Sequence, residues 1–242
     1  MLPIKKDIKL VRSLQQKKFR KEHGLFVVEG KKMVEEGLKG QYKLHSLYST
    51  DESFVKLQSN CFSVTSKEME MMSALSTPSS YLAVFRMTEV TTVSSNDEFI
   101  LALDGIADPG NLGTIIRTAE WFGVRTILIS EDTVELFNPK TVQSTMGSVF
   151  RMNVHSVRLA DTLGSYRDNG YAIVGALLNG ENAFRFEFPS KTILVIGSES
   201  HGIRQDVINQ LSHQVTIPGG GEAESLNAAI ACSILLSRWF DG

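Results

Sequence analysis

The sequence predicts an α/β protein in two parts. A C-terminal parallel sheet flanked by helices follows a small N-terminal α/β domain. Three observations carry this expectation. From residue 98 onward, short β-branched apolar runs alternate with helix-like stretches, as do strands buried on both faces and joined by crossover helices. Before residue 88 the elements are shorter and make one small α/β unit. Between them "TEVTTVSSNDE", residues 88–98, is polar, has no helical apolar stripe and cannot bury much surface. The expected parts are residues 1–90 and 98–242, with 88–97 as the linker.

The first part opens on an expected helix over 4–23, with Ile8, Val11 and Leu14 apolar among Lys17, Lys18, Arg20 and Lys21, closed by Gly24. Strand-like "LFVVE", helix "KKMVEEGL", a turn at Gly40 and strands "KLHSLYS" and "CFSVT" come next. Thr65 with Glu68 fits a capping box opening "SKEMEMMSAL", and "YLAVFRM" closes the set as a strand. In the second part the expected strands are "FILALD", "VRTILIS", a short one near Val154, "YAIVGALL", "TILVIG" and "HQVTIP". The expected helices are "LGTIIRTAEWFG", "PKTVQSTMG", "LADTLGSYRDNG", "IRQDVINQL" and the apolar "AAIACSILL".

Composition narrows the function classes. Two cysteines, Cys61 and Cys232, build no disulfide framework, which points to a reducing cytoplasm. The N-terminus lacks the apolar core of a signal peptide, and the longest apolar stretch, near Ala228–Leu236, is too short to span a bilayer. The histidines and cysteines show no metal-ligand spacing. The net charge is −2, yet residues 1–43 hold 12 Lys and Arg against 5 Asp and Glu, and the remainder 13 against 22. A basic end on an acidic body suits a polyanion landing site, or simply a solvated basic helix face.

Ligands of open parallel sheets bind beyond the carboxyl ends of the strands. Three strands there run into conspicuous loops, "LALDGIADPGN", "LVIGSESHGI" and "VTIPGGGEAES", with "VGALLNGEN" as a fourth. Neither nucleotide glycine fingerprint is present, and "GSESHG" does not have the spacing of a hydrolase elbow. Ser200 and His201 fit a turn serine and a surface histidine better than a nucleophile and its base. These loops carry Asp104, Asp108, Glu199, Glu222 and Glu224 against Arg204. Glu222 and Glu224 would satisfy the positive end of the last helix and repel a phosphate. That favours a neutral, zwitterionic or cationic ligand, such as S-adenosylmethionine. Arg117 points away from the stripe Leu112, Ile115, Ile116, Ala119 and Phe122, as a solvated arginine or a phosphate clamp. Asn111 fits the N-cap of its helix. Ser225 and Asn227 stand at the start of the last one, where a buried Asn227 amide would need partners.

"DGIADPGNLGTIIRTAEWFG", "LVIGSESHGI" and "VTIPGGGEAESLNAAIACSILL" resemble, in order and spacing, the three motifs of the SpoU–TrmH family. These are S-adenosylmethionine-dependent RNA ribose 2′-O-methyltransferases of the SPOUT superfamily. "KKFRKEHGLFVVEGKKMVEEGL" resembles the family's ribosomal-protein-like RNA-binding domain. The resemblance implies a deep trefoil knot in the C-terminal sheet and a homodimer with its active site near the interface. It implies cofactor contacts at Gly197, Ile217, Pro218 and Leu226, with Leu177 close by. It also implies a functional polar set of Asn111, Arg117, Glu199, Ser225 and Asn227. No metal is implied. Ribosomal RNA is favoured over transfer RNA by the N-terminal domain. A transfer-RNA enzyme and a non-catalytic RNA-binding protein on the same fold are the alternatives. Members commonly have a bulkier residue, often Met, after the third-motif proline, where this chain has "PGGG".

Overall fold

A computed structural model describes residues 5–56, 60–87 and 97–241. Most of the expected linker, 88–96, therefore lies outside the described residues. The chain divides into two compact units, Met1–Glu89 with Glu135–Arg151, and Val90–Val134 with Met152–Gly242.

The first unit begins with α1 (Lys5–Ser13) and α2 (Lys17–His23), followed by β1 (Leu25–Glu29), α3 (Lys31–Lys39) and β2 (Leu44–Ser49). Then come α4 (Glu52–Val55), β3 (Cys61–Ser63), α5 (Ser66–Met72) and β4 (Tyr81–Arg86). The sheet order is β1-β4-β2-β3, antiparallel except for the β2–β3 pair. The single helix expected over 4–23 is in fact two. The carbonyls of Leu14 and Gln15 each accept a hydrogen bond from Arg20 Nη1 at 2.8 Å, and Gln16 is extended. A guanidinium thus takes the acceptors that continued helix would have used. Arg20 is 2% exposed, and its Nη2 lies 2.6 Å from Glu135 Oε2, so it leaves the basic surface to which the sequence assigned it. Gly24 closes α2 in the left-handed region, at φ 61°, as expected. The Thr65–Glu68 capping box is present in both directions.

Along the second unit run β5 (Phe99–Asp104), α6 (Pro109–Trp121) and β6 (Thr126–Ser130). After β6 the chain passes through α7 (Pro139–Ser144) and a 3-10 turn, Ser148–Phe150, both within the segment that belongs to the first unit. It then returns for β7 (Asn153–Val157), α8 (Leu159–Asp168), β8 (Ala172–Asn182), β9 (Thr192–Gly197), α9 (Gln205–Ile208), β10 (His213–Thr216) and α10 (Ala228–Phe240). The α9 helix is shorter than the expected "IRQDVINQL". All six strands are parallel, in the order β10-β8-β9-β5-β6-β7. Central strands β5 and β6 are buried at every position, and β9 at all but its last. The outer strands β7 ("NVHSV") and β10 ("HQVT") are only partly buried and correspondingly more polar.

Each unit has its own core. In the first, Ile8 and Val11 of α1, with Leu14 just beyond it, pack on Leu25 and Val27 of β1 and on Met69 and Met72 of α5. Phe26, the alternate residue of β1, joins an aromatic group with Tyr42, Phe85 and Phe137, the Phe26 and Phe137 rings lying 4.5 Å apart. In the second, Ile100, Ala102, Ile173, Ile193 and Val195 of the sheet pack on Leu159 and Leu163 of α8.

Candidate active site

Because the six strands are parallel, all their carboxyl ends lie along one edge of the sheet. The chain leaves β5 towards β6 on one side, and β9 towards β10 on the other. Neighbours whose onward connections diverge leave a crevice beyond their carboxyl ends. The β5–β9 pairing ends at Asp104 opposite Gly197, so the crevice opens between the "DGIADPGN" and "GSESHG" loops.

A charged anchor fixes the floor. Asp104 is 1% exposed; its two carboxylate oxygens accept from the Arg204 backbone N–H and Nε, each at 2.8 Å. Arg204 Nη1 also reaches Asp132 Oδ1 at 3.3 Å. The hydrogen bond that Arg204 donates to Asp104, reinforced by the charges of Asp104, Asp132 and Asp206, raises the Arg204 pKa above its ordinary value. The loops after β5, β6 and β9 are thereby tied together. The "SESHG" turn closes by paired backbone bonds between Ser198 and Gly202, at 3.1 and 2.9 Å. It folds back so tightly that any side chain at Gly197 would overlap the backbone of Gly202 and Ile203.

Above this floor three of the expected site residues meet. Asn111 Nδ2 donates to Glu199 Oε1 at 2.5 Å. Asn227 Nδ2 donates to the same oxygen at 3.2 Å and to Asn111 Oδ1 at 3.2 Å. The Ala228 backbone N–H donates to Glu199 Oε1 at 3.2 Å. One carboxylate oxygen thus joins the three motif segments. Arg117 and Ser225 are exposed and outside this network. Ser200 and His201 are exposed turn residues bonded to each other at 2.7 Å.

Three local expectations are corrected. Asp108, not Asn111, caps α6, accepting from the Asn111 N–H at 2.8 Å. Pro109 takes the first helical position, where its missing N–H costs nothing. The Asn111 side chain is therefore released to bond elsewhere. Asn227 is an exposed N-cap accepting from Ala229 and Ile230, not a buried amide within the helix. The acidic group at the start of α10 is Glu199, from another loop, while Glu222 and Glu224 are exposed in the chain leading to it.

The expected cofactor contacts come from neighbouring strands. Leu177 is two residues beyond Gly175, which pairs with Val195, itself two residues before Gly197. Ile217 and Pro218 follow directly on β10, which pairs with β8. Leu177 and Ile217 are half-buried, and Leu226 is 45% exposed. Residues 217–226 make no backbone–backbone hydrogen bond among the described residues. A side chain added at Gly219, Gly220 or Gly221 would meet nothing within 4 Å. Apolar side chains beside open backbone donors and acceptors fit an adenosine, and the acidic loops fit a sulfonium and an ammonium. Sequence reasoning missed that Arg204 is held by Asp104 and Asp132. An aspartate ending a wholly apolar strand was the available signal, since a buried carboxylate requires a partner.

The family comparison agrees with this geometry. Residues 98–237 match the SpoU rRNA Methylase family, and residues 5–83 match the MRM3-like substrate binding domain. The chain belongs to the SpoU rRNA methylase family. It is 30% identical over 230 residues to the 23S rRNA (guanosine(2553)-2′-O)-methyltransferase RlmP of Bacillus subtilis, covering 93% of this chain and 92% of that one. A TrmH-family protein from Porphyromonas gingivalis superposes with a TM-score of 0.91 at 34% identity, over 99% of this chain and 98% of the other. An AdoMet-bound rRNA methyltransferase from Sinorhizobium meliloti superposes with a TM-score of 0.89 at 28% identity, over 99% and 96%.

Proposed function

We propose that this chain transfers a methyl group from S-adenosylmethionine to a ribose 2′-hydroxyl of ribosomal RNA. The observation that carries the reading is the Glu199 carboxylate, which gathers Asn111, Asn227 and the start of α10 at the β5–β9 crevice. The family membership and the AdoMet-bound relative support the cofactor. The 23S rRNA substrate named for RlmP supports the RNA class. Only RNA offers a 2′-hydroxyl.

S-adenosylmethionine, when bound, supplies the methyl group on a sulfonium. Gly197, Ile217, Pro218 and Leu226 would hold it largely through backbone atoms, with Leu177 close by. The chain's own part is alignment, which can lower a barrier by about 7–11 kcal/mol. Asn111, Glu199 and Asn227 fix the loops, and exposed Ser225 would help to order the ribose edge. Arg117 is exposed and presents a planar fork of N–H donors, so its role is to hold the phosphate next to the target ribose. That phosphate or a water takes the proton. No metal and no covalent enzyme intermediate enter the reaction.

The same reading assigns RNA binding to residues 1–90 and methyl transfer to 98–242. Lys5, Lys6, Lys9, Arg12, Lys17, Lys18 and Lys21 are exposed on α1 and α2 and supply phosphate contacts. A homodimer is supported by the exposure of Trp121 (83%), Ile230 (52%) and Phe240 (66%) on the packed pair α6 and α10. A trefoil knot is supported by strand order: β9 enters between β8 and β5, and β10 then lands beyond β8. The cytoplasm is the compartment that suits this substrate. The deciding experiment is tritium transfer from labelled S-adenosylmethionine to rRNA, followed by mapping of 2′-O-methyl sites. Label found on a base, or none on RNA, overturns the proposal.

A further inference from the structure

A cavity of about 430 Å³ lies within the first unit, and no residue of the three methyl-transfer motifs lines it. Its walls include Val27, Leu75 and Val142, and its polar lining includes Gln15, Glu29 and Lys140. The volume falls in the range of about 300–1,000 Å³ typical of small-ligand sites. Gln15 Nε2 is buried with no hydrogen-bond partner among the described residues. A buried donor left unpaired is costly, and ligand acceptors commonly relieve that cost. Glu29 is 6% exposed. Its Oε1 accepts from the Ala74 N–H at 2.8 Å and its Oε2 from Ser73 Oγ at 2.5 Å. Each carboxylate oxygen can accept a second bond.

The donor is held in place from behind. Arg20 fixes the Gln15 carbonyl at 2.8 Å and is itself locked by Glu135. Gln15 lies at the break between α1 and α2, so exposed Arg12, Lys17 and Lys18 flank it along the chain. A buried carboxylate repels phosphate, so the basic residues outside suit the backbone and the cavity suits something neutral. Apolar walls, one N–H donor and a pair of carboxylate acceptors complement a nucleobase with one acceptor beside two adjacent N–H donors. Guanine has that edge: O6 beside N1–H and N2–H₂. Unpaired bases are the ones read on this edge.

We propose that this cavity is a specificity subsite that takes one unpaired, extruded guanine of the RNA substrate, with Gln15 donating to O6 and Glu29 accepting from N1 and N2. Exposed Lys140 sits at the rim for its phosphate. The inference rests on the RNA-methyltransferase reading and adds a second point of RNA recognition to it.

The test uses the full chain. Guanosine, adenosine, cytidine and uridine 5′-monophosphates and inorganic phosphate are titrated separately while the Gln15 side-chain amide is followed by NMR. Guanosine monophosphate is expected to shift that signal at a concentration at least tenfold lower than the others, and Glu29→Gln to remove the difference. Equal response to all four nucleotides, response to phosphate alone, or no response overturns the proposal. Because Glu29→Gln also alters the Ser73 and Ala74 bonds, Ala74→Trp is the second variant. It plugs the lining from an exposed position and keeps the backbone N–H. In methyl transfer to in vitro transcribed rRNA it is expected to raise KM for RNA at least tenfold, with kcat and S-adenosylmethionine binding unchanged. An unchanged KM overturns the subsite alone. Absence of transfer by the wild-type chain overturns the underlying reading instead.

Discussion

The Arg20 link of the first unit and the polar set at the crevice of the second stand in opposite settings. In the first, Arg20 is buried and ties the α1–α2 break to Glu135, 115 residues away. In the second, Asn111, Glu199 and Asn227 tie segments up to 116 residues apart, but at an exposed rim. Burial strengthens an electrostatic link and makes its disruption expensive, whereas the same bond beside water contributes little to stability. The inner network therefore suits folding, and the outer one suits the proposed site, whose groups would have to remain open to ligand.

The largest effect should come from the inner network. Arg20→Ala leaves Glu135 uncompensated and two carbonyls unpaired, and should cost about 3–5 kcal/mol. Denaturant unfolding measures it. Thiol labelling should show where the damage lies. Cys61, in the first unit, should react sooner. Cys232, buried in α10 with its thiol pKa pushed by burial to about 12, should stay protected. Early labelling of Cys232 would mean that the two units do not separate in stability as their networks suggest.

Glu199→Gln tests the outer network. It removes the shared charged acceptor, and a small misplacement of reacting groups costs about 100-fold in turnover. The unfolding midpoint should hardly move. A large loss of stability would show that the rim is structural rather than functional. Next comes Trp121→Glu, which puts a charge into the exposed apolar face of α6 and α10. In the proposed dimer, sedimentation should show association weakened by about 2 kcal/mol or more, as for an aromatic interface anchor. Arg117→Lys sharpens the same comparison. Weaker RNA binding with turnover retained at saturation fits a phosphate clamp, whereas normal binding with abolished turnover refutes it.

The smallest effect belongs to an exposed cap of the first unit. Asp51 accepts from Ser53 Oγ and N–H, from the Phe54 N–H and from Tyr81 Oη, which lowers its carboxyl to about 2. Bonding to the ionised form favours folding above the ordinary carboxylate pKa of about 4. The contribution should be complete above that pH and fade as pH falls through about 2. Melting temperatures of the wild type and Asp51→Ala, compared between pH 6 and pH 2, should converge at the acid end.

Local pattern made much of this legible. The strand runs of the second unit, the capping box at Thr65 and the αL glycine at 24 follow from residues within a few positions of each other. So does the gathering of motif loops at one sheet edge, once the strands are parallel. The N-cap of α6 was misplaced because Asp108 and Asn111 are equally good caps by type, and Pro109 between them decides the matter. The break at Gln15 could not be foreseen, because the competing donor, Arg20, is committed by a glutamate 115 residues away.

The sequence by itself determined the fold class and the family motifs, because periodicity, turn chemistry and motif order are written locally. Only the tertiary structure decided what each polar group does. It joined Asn111, Glu199 and Asn227, left Arg117 and Ser225 free of that network, buried Arg20, and placed Glu135–Arg151 with the first unit. A hydrogen-bond partner is chosen by proximity in the folded chain, and proximity across a hundred residues is fixed by the packing of the sheets.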